Sequence, residues 1–133
     1  MIGALDISSS ALVAQRTRLN VIAGNIANAF STQQEDGTIQ PYRRRVVSFA
    51  GDQGTGGAPG VHVAEILEDS SPFERRYDPG HPHADSAGWV QYPNVSLTME
   101  YVDGMEAARA YEANVAVMNV TKSLVRQTIQ LFA

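Results

Sequence analysis

The chain has 133 residues, of which 44% are hydrophobic and 18% charged, and 10 Lys and Arg against 14 Asp and Glu give a formal net charge of -4. This length predicts one domain, or one domain with extended elements, and the acidic balance argues against nucleic acid as a partner, since nucleic-acid-binding domains are typically basic. The chain has no cysteine, which excludes disulfides, thiolate zinc ligands and a cysteine nucleophile.

Targeting signals are missing from the sequence. No apolar stretch approaches 18 residues. We therefore expect that the chain has no membrane-spanning helix and is not an integral membrane protein. At the N-terminus Asp6 precedes the first basic residue, Arg16, and no apolar run follows Met1. This pattern lacks the parts of a cleaved signal peptide, so export would need another route.

Proline divides the chain into three parts. The six prolines all lie between residues 41 and 93 and are Pro41, Pro59, Pro72, Pro79, Pro82 and Pro93. An interior proline costs a helix about 3 kcal/mol, so the pattern predicts a helix, an irregular or β middle, and a second helix.

The first segment, residues 3–29, carries apolar residues at a seven-residue interval. They are Leu5, Leu12, Leu19 and Ile26, with Ile22 and Ala23 on the same face. This spacing predicts one helix, although Ser8 and Gln15 interrupt the seam. Charged residues are so few here that we expect the opposite face to contact protein as well.

Four short runs in the middle have strand character: 42–49, 61–67, 73–77 and 89–92. They predict a small β element of three or four strands. The sequence between the first two runs, residues 51–60, contains five glycines and predicts a flexible connection; it lacks the GK[ST] ending of a phosphate loop. Residues 78–85 contain Pro79, Gly80 and Pro82, so an ordered turn or loop is expected there.

The last segment, residues 94–133, predicts a long helix with Asn94 or Ser96 as its N-cap. Its apolar face consists of Tyr111, Val115, Met118, Val125, Ile129 and Phe132, widened by Val117, Leu124 and Leu131. About 38 helical residues would span about 57 Å, which predicts an elongated molecule whose terminal helices pair antiparallel.

Only one cluster has side chains that could bind a metal: His81 and His83 with Asp78 and Asp85. No third nitrogen or sulfur ligand follows at a recognisable spacing, so a turn stabilised by proline and Asp hydrogen bonds is favoured. No G-x-S-x-G elbow is present either. We therefore predict no metal, no cofactor, no catalytic residues and no enzymatic activity.

The basic run Arg43, Arg44 and Arg45 has two interpretations. It could contact an acidic polymer, but alternate residues of a strand face opposite sides, and no aromatic or further basic residues lie among the arginines. A solvated or interface strand is favoured.

Several motifs together resemble the bacterial flagellar axial proteins of the rod and hook. They lie at 4–29, 42–49, 60–85, 88–95 and 109–117, in the expected order and over nearly the whole chain. The residues that carry the family pattern are Gln15, Asn25, Asn28, Tyr42, Asp78, Pro79, Gly80, His81, Pro82, Gly88, Pro93, Asn94, Tyr111, Glu112 and Asn114. Departures from the pattern occur at Gly24, Phe30, Ser31, His83 and Trp89.

The resemblance implies a structural subunit of the proximal rod, which transmits torque from the MS ring and rotor toward the distal rod and hook. Its partners would be other copies of itself, other rod proteins, the MS ring and export-gate region, and the flagellar type III export apparatus. It would lie in the rod within the periplasm, exported without a cleaved signal peptide. The alternative is a soluble helical binding or export-adaptor module.

The expected fold is mainly α with a small β insert. Residues 1–32 and 94–133 would form a helical core paired as an antiparallel coiled coil, and residues 33–93 a β-rich insert. Helix packing and subunit contact are assigned to Leu5, Leu12, Leu19, Ile22, Ile26, Tyr111, Val115, Met118, Leu124, Val125, Ile129, Leu131 and Phe132. Because much of this apolar surface needs partners, we expect frayed termini in the monomer.

Overall fold

The computed structural model describes residues 2–52 and 59–133. It has one long helix at each end of the chain and four short strands between them in sequence. The elements in chain order are α1 (Ile2–Ala27), β1 (Arg45–Asp52), β2 (Gly60–Glu68), β3 (Glu74–Tyr77), β4 (Trp89–Tyr92) and α2 (Leu97–Phe132). The predicted order of helix, short strands and helix is confirmed, and the fold is mainly α with small antiparallel sheets.

The helices α1 and α2 pack against each other in opposite directions. Asn25, near the end of α1, bonds to Glu100 in the first turn of α2, whereas Arg18, two turns earlier in α1, pairs with Glu106 farther along α2. At equal rise per residue, the start of α1 lies level with about residue 123 of α2. Helix α2 has 36 residues and α1 has 26, so the last part of α2 extends past α1.

The helix ends differ by a few residues from those predicted. Helix α2 begins at Leu97 because the Ser96 hydroxyl accepts the Met99 backbone N–H at 3.5 Å, so Ser96 and not Asn94 is its N-cap. Helix α1 ends at Ala27 rather than at residue 29; the amide of Asn28 then donates to the carbonyl of Gly24 at 2.9 Å and occupies an acceptor of the last turn.

Strands β1 and β2 form an antiparallel ribbon that packs along α1. The backbone N–H of Val61 donates to the Ser10 hydroxyl at 3.0 Å near one end, and Asn25 bonds to the backbone of Arg45 near the other. The register runs from Arg45 opposite Glu68 to Asp52 opposite Gly60, with an irregularity at Ser48 and Phe49. Helix α1 therefore contacts both α2 and the ribbon.

The first predicted strand, 42–49, is wrong at both ends. The Tyr42 N–H donates to the Ser31 carbonyl at 3.0 Å and the Arg44 N–H to the Asn94 side chain at 2.8 Å, so neither is available for a ladder before Arg45. The ribbon also takes in residues 51, 52 and 60, which the sequence assigned to a flexible connection. The rest of that connection, residues 53–58, lies outside the described part of the chain.

The second ribbon, β3 with β4, closes around an ordered loop, as the prolines predicted. Backbone bonds join Asp78 to Gly88 and Asp85 to Trp89, each at 2.9 Å. Gly88 has a φ of +85°, and a Cβ there would lie 2.9 Å from the Tyr77 ring. Glycine is the residue that tolerates both conditions.

The buried residues are small or polar rather than large and apolar. Apolar side chains with little exposure are Ala14, Ile22, Ala29, Val90 and Ala107, and buried polar ones are Ser8, Asn25, Thr32, Glu100 and Thr121. The predicted heptad leucines of α1 are only half-buried. One chain by itself thus covers little of its large apolar surface.

Candidate functional site

A buried cluster of polar side chains joins the two helices to the segments between them. We call it the polar junction and define it as Asn25, Arg44, Asp69, Glu100 and Asp103. Glu100 is 0% exposed and is the largest of the fully buried side chains in the described part of the chain. A buried carboxylate is stable only when it is paired and hydrogen-bonded, so its surroundings show what the fold is built to hold.

Both oxygens of the Glu100 carboxylate have partners. Oε1 accepts the Nε–H of Arg44, and Oε2 accepts the side-chain N–H of Asn25 at 3.2 Å. These partners come from the end of α1 and from the segment just before β1. Glu100 therefore bonds two segments that are far from it in sequence.

The guanidinium of Arg44 bridges three carboxylates. Its remaining nitrogens lie 3.2 Å from Asp69 Oδ2 and 3.5 Å from Asp103 Oδ2. Burial alone would lower the pKa of Arg44, but the hydrogen bond to Glu100 and the nearby negative charges outweigh it and hold that pKa above its ordinary value. Arg44 thus stays charged and links Asp69, just after β2, to Glu100 in α2.

Asn25 uses its whole side chain in the same junction. Its amide nitrogen donates to the Arg45 carbonyl at 2.8 Å as well as to Glu100, and its oxygen accepts the Tyr42 hydroxyl at 2.9 Å and the Arg45 N–H at 3.0 Å. An asparagine has two donors and an acceptor with two lone pairs, so every hydrogen-bonding position is filled.

Tyr42 is half-buried beside Asn25, with the Arg45 guanidinium 5.9 Å from its ring. Burial raises the pKa of the Tyr42 phenol, and the positive charge of Arg45 only partly opposes this. The hydroxyl therefore remains protonated at neutral pH and donates its hydrogen bond to Asn25.

A short turn after β2 supports Arg44 from the other side. The carboxylate of Asp69 accepts hydrogen bonds from the Ser71 hydroxyl and, at 2.9 Å, from the Ser71 N–H. Together with Arg44, these bonds hold the pKa of Asp69 below its ordinary value.

The backbone carbonyl of Asp69 is bonded as well. Asn94 accepts the Arg44 N–H and donates to the Asp69 carbonyl at 3.0 Å. Arg43 donates to that carbonyl at 2.9 Å and lies 4.3 Å above the Phe73 ring.

The polar junction holds four segments of the chain together. Each charge in it is engaged by a fixed partner, and the junction connects α1, the segment before β1, the turn after β2 and the start of α2. Removing one member of a buried ion pair is costly because the other is left unpaired. The junction therefore fixes the insert to the helices at one point.

The predicted motif residues fall in several places. Asn25, Tyr42 and Asn94 belong to or support the polar junction, Asp78, Pro79, Gly80, His81 and Pro82 form the loop between β3 and β4, and Gly88 closes that loop. Pro93 is buried, and Glu112 is exposed. Asn114 donates to the Ala110 carbonyl at 2.9 Å, and Gln15 Oε1 is buried without a hydrogen-bond partner among the described residues.

The sequence analysis missed the charged half of the junction. Arg44 was interpreted as part of a solvated or interface strand, but it is largely buried against Glu100. Asp69, Glu100 and Asp103 were not predicted to be site residues. The only available signal was an acidic first turn of α2 opposite a basic run before β1. Nothing in a single sequence pairs the two.

The histidines do not assemble a ligand set. The rings of His81 and His83 meet edge to face at 5.4 Å, His83 Nδ1 lies 2.7 Å from the Thr32 hydroxyl, and His62 pairs instead with Asp52 at 3.4 Å. In residues 2–52 and 59–133 no three His, Asp or Glu side chains converge on a possible metal position. None of the helices described is long and apolar enough to cross a membrane.

The residues predicted for helix packing and subunit contact divide into two groups. Ile22 is buried, and Leu5, Leu12, Leu19, Ile26, Tyr111, Met118 and Val125 are half-buried. Those exposed are Val115, at 37%, in the middle of α2, and Leu124, Ile129, Leu131 and Phe132 toward its end, with Leu131 at 83% and Phe132 at 88%. We call residues 124–132 the α2 overhang, because it extends past the start of α1.

An apolar groove runs between the helices beside the polar junction. We call it the interhelical groove; it is lined by Leu19, Ile22, Ala23, Ile26, Glu100, Tyr101, Gly104, Met105 and Ala108 and has a volume of about 340 Å³. It is open to solvent along its length, and at Gly104 a Cβ would lie in ordinary contact with Ile22 Cγ2, at 3.6 Å.

Comparison with known proteins finds two families of flagellar basal body rod proteins, one at each end of the chain. Residues 5–33 match the family described as "Flagella basal body rod protein", and residues 86–131 match "Flagellar basal body rod FlgEFG protein C-terminal". These two regions contain α1 and α2 almost entirely.

Relatives named flagellar basal-body rod protein FlgC align with the chain over nearly its full length. The protein of Yersinia enterocolitica is 46% identical, and that of Escherichia coli O6:H1 45% identical, each over 98% of this chain and 97% of its own. The protein of Bacillus subtilis is 40% identical over 96% of this chain and 95% of its own. The chain therefore belongs to the FlgC family of flagellar basal-body rod proteins, a family of structural proteins and not of enzymes.

Proposed function

We propose that the protein is a subunit of the proximal rod that polymerises through its terminal helices and transmits torque toward the distal rod and hook. The observation that carries the proposal is the α2 overhang, where Leu124, Ile129, Leu131 and Phe132 are at least half exposed. Burying one such side chain contributes about 1.5–3 kcal/mol. A surface of this kind, extending past its own partner helix, favours contact between subunits.

The division of labour in the subunit follows from the same arrangement. We assign residues 1–32 and 94–133 to a helical core that completes an antiparallel coiled coil only within the assembled rod, and residues 33–93 to an outer insert. The half-buried heptad positions Leu5, Leu12 and Leu19 support this, because they retain surface for neighbouring helices. The polar junction supports transmission of torque between core and insert.

The expected neighbours are other copies of the chain, other rod proteins and the MS ring and export-gate region. The location would be the rod within the periplasm, reached through the flagellar type III export apparatus without a cleaved signal peptide. Family membership supports assembly within the basal body; these finer assignments are part of the proposal.

The test is to replace Leu124, Leu131 and Phe132 with serine in a motile strain. If the chain polymerises through its terminal helices, these variants should be secreted but form no rod, and the cells should not be motile. The purified variants should keep the circular dichroism spectrum of the folded chain. The matched control is serine at Ile39, an exposed apolar residue that lies outside both terminal helices. Normal rods with all three serines in the α2 overhang would contradict the proposal; a soluble binding module would tolerate them in this way.

A further inference from the structure

We propose that a cavity between the second ribbon and the segment after α1 binds a zwitterionic α-amino-acid group, in which one carbon carries both an ammonium and a carboxylate. We call it the ribbon cavity; its lining includes Thr32, Pro41, Arg75, Asp85 and Trp89, and its volume is about 290 Å³. Pockets for drug-sized ligands begin at roughly 300 Å³, so this cavity suits a ligand as small as one amino acid. The proposal goes beyond the proposed function and does not depend on it.

Two opposite charges line the ribbon cavity without pairing with each other. Among residues 2–52 and 59–133, neither Arg75 nor Asp85 has an ion-pair partner within 4.0 Å. A lone anion in the cavity would be repelled by Asp85, and a lone cation by Arg75. A ligand that carries both charges is attracted by both groups, with its carboxylate toward Arg75 and its ammonium toward Asp85.

Both charged groups are held in place before any ligand arrives. Asp85 Oδ1 accepts the backbone N–H groups of Ala87 and Trp89, each at 2.9 Å, so the carboxylate is fixed within its loop. The guanidinium of Arg75 lies 5.3 Å from the centre of the Trp89 ring, and that ring meets Tyr77 edge to face at 5.5 Å. Side chains fixed in this way lose little further freedom when a ligand binds.

The strand register explains why Arg75, and not its neighbour Arg76, reaches the ribbon cavity. Tyr77 lies opposite Trp89, and side chains two residues apart share a face of a strand, so Arg75 lies on the face of Trp89. Arg76 lies on the other face, where it pairs with Glu74 at 2.9 Å. The two arginines therefore form a matched pair for experiment.

The rest of the lining favours an aliphatic chain next to the charged groups. Pro41 is buried and Trp89 is 40% exposed, so both offer apolar surface to a ligand. Two kinds of molecule join such a chain to a zwitterionic group. One is a free aliphatic amino acid, and the other is a peptide whose diaminopimelate side chain ends in that group.

The only tryptophan of the chain lines the ribbon cavity, so the intrinsic fluorescence of Trp89 reports on binding directly. The purified full chain is titrated with L-leucine and with the tripeptide L-alanyl-γ-D-glutamyl-meso-diaminopimelate. We expect a saturable change with a dissociation constant of about 1 mM or lower for at least one of them. Saturation with leucine identifies a free amino acid as a ligand, whereas saturation with the tripeptide alone identifies the peptide-borne group.

Two analogues of leucine test whether both charges are read. N-acetyl-L-leucine lacks the ammonium and L-leucinamide lacks the carboxylate, so each should bind at least about tenfold more weakly than leucine; for the tripeptide, amidation of the diaminopimelate carboxylate or acetylation of its amine is the same test. Equal binding of an analogue, or no saturation with leucine or the tripeptide up to about 20 mM, would overturn the proposal.

Variants of the chain locate the binding. Asp85→Asn keeps an oxygen for the Ala87 and Trp89 N–H groups but removes the charge, and Arg75→Met removes the other charge; each should weaken binding at least about tenfold. Arg76→Met makes the same change on the opposite face and should bind like the native chain. Calorimetry repeats the comparison, because Arg75 lies beside the fluorophore. Equal weakening by Arg76→Met would refute the site, and rod assembly is tested separately, since the ribbon cavity lies outside both terminal helices.

Discussion

The side-chain amide of Asn25, near the end of α1, donates to the fully buried carboxylate of Glu100, in the first turn of α2, across 3.2 Å. The two residues are 75 positions apart in sequence. Between them the chain forms both β ribbons, and it returns to the junction at Arg44 and Asp69. One buried carboxylate thus sets the position at which both helices and the insert meet.

Replacement of Arg44 with methionine tests the charge balance of the junction. Glu100 would remain buried with Asn25 as its only partner, so we expect the free energy of unfolding to fall by about 3 kcal/mol, the low end of the range for breaking a buried ion pair. The low end applies because 23% of the Arg44 side chain is exposed. Urea unfolding followed by circular dichroism measures the change.

The control for that variant is Arg76→Met. Arg76 pairs with Glu74 at 2.9 Å, but about half of each side chain is exposed, so its removal should cost at most about 1 kcal/mol. Equal losses for the two variants would mean that the buried pair of Arg44 and Glu100 contributes no more to stability than an exposed ion pair.

Substitution at Asn25 separates hydrogen bonding from size. Asn25→Ala removes the hydrogen-bond partner of Glu100 Oε2, of the Tyr42 hydroxyl and of the Arg45 backbone N–H, and we expect a loss of about 2–4 kcal/mol, because buried groups left unsatisfied cost about 1–3 kcal/mol each. Asn25→Asp should cost still more, since it places a carboxylate against Glu100 and removes both donors. Unfolding midpoints in urea compare the two.

Asn28 provides the matched asparagine on the same helix. Its amide only donates to the Gly24 carbonyl, and its oxygen accepts the Ser31 hydroxyl, so Asn28→Ala should cost about 1 kcal/mol or less. If Asn28→Ala were as damaging as Asn25→Ala, the junction would have no special part in stability.

Acid should weaken the turn that supports Arg44. Hydrogen bonds from Ser71, and then the interaction with Arg44, hold the pKa of Asp69 below its ordinary value of 3.8. A depressed pKa contributes stability that is fully present above 3.8 and is lost as the pH falls through the folded-state pKa. The unfolding free energies of the native chain and of Asp69→Asn should therefore differ most above pH 3.8 and converge as the pH falls below it.

The matched variant for this titration is Asp36→Asn. The pKa of Asp36 is also lowered, by hydrogen bonds from Thr38, but this residue is fully exposed and lies outside the junction. By the same linkage, Asp36→Asn should also lose stability above pH 3.8, but without any effect on the polar junction. A difference between native chain and Asp69→Asn that is constant with pH would refute the linkage.

The order of elements could be predicted because it depends on signals that are local in sequence. Prolines confined to 41–93 and apolar residues at helical spacing fix where helices can form. Strand β4 was predicted with its correct ends, as 89–92. The start of the first strand was predicted too early because the Tyr42 and Arg44 N–H groups bond to Ser31 and Asn94 instead, and these partners are distant in sequence.

The polar junction could be predicted only in part for the same reason. Asn25, Tyr42 and Asn94 were identified through a family resemblance, whereas Arg44, Asp69, Glu100 and Asp103 are charged residues in segments that look solvent-exposed. Charged side chains are almost never fully buried unless paired, and the pairing of Glu100 with Arg44 arises only when four segments meet. Burial of this kind is a tertiary property.

Deletion of residues 124–133, which removes the α2 overhang and the last residue, should leave the single chain nearly as stable as before. These residues extend past α1, so we expect the free energy of unfolding to change by less than about 1 kcal/mol. In the intact monomer their amides should exchange hydrogen far faster than those near Glu100. Both results would agree with the expectation that the termini of the monomer are frayed.

Deletion from residue 114 onward is the comparison for that truncation. It also removes Met118 and the buried Thr121, which lie level with the first turns of α1. We expect the free energy of unfolding to fall by several kcal/mol, since packing supplies most helix stability in proteins. Similar stability for the two truncations would mean that the helices do not pair over their full overlap.

Two glycines should respond in opposite ways to alanine. A Cβ at Gly60 would lie 2.7 Å from the Ser10 hydroxyl and 3.2 Å from its Cβ, so Gly60→Ala would push the first ribbon away from α1 and cost about 1–3 kcal/mol. A Cβ at Gly24, inside α1, meets nothing within 4 Å, and Gly24→Ala should raise stability by up to about 1 kcal/mol through helix propensity. Thermal unfolding of both variants measures whether each substitution lowers or raises stability.

The double variant Ser10→Ala with Gly60→Ala tests the contact itself. Because Ser10 also accepts the Val61 N–H at 3.0 Å, Ser10→Ala cannot fully rescue Gly60→Ala. Complete rescue would show that the ribbon is held on α1 by other contacts.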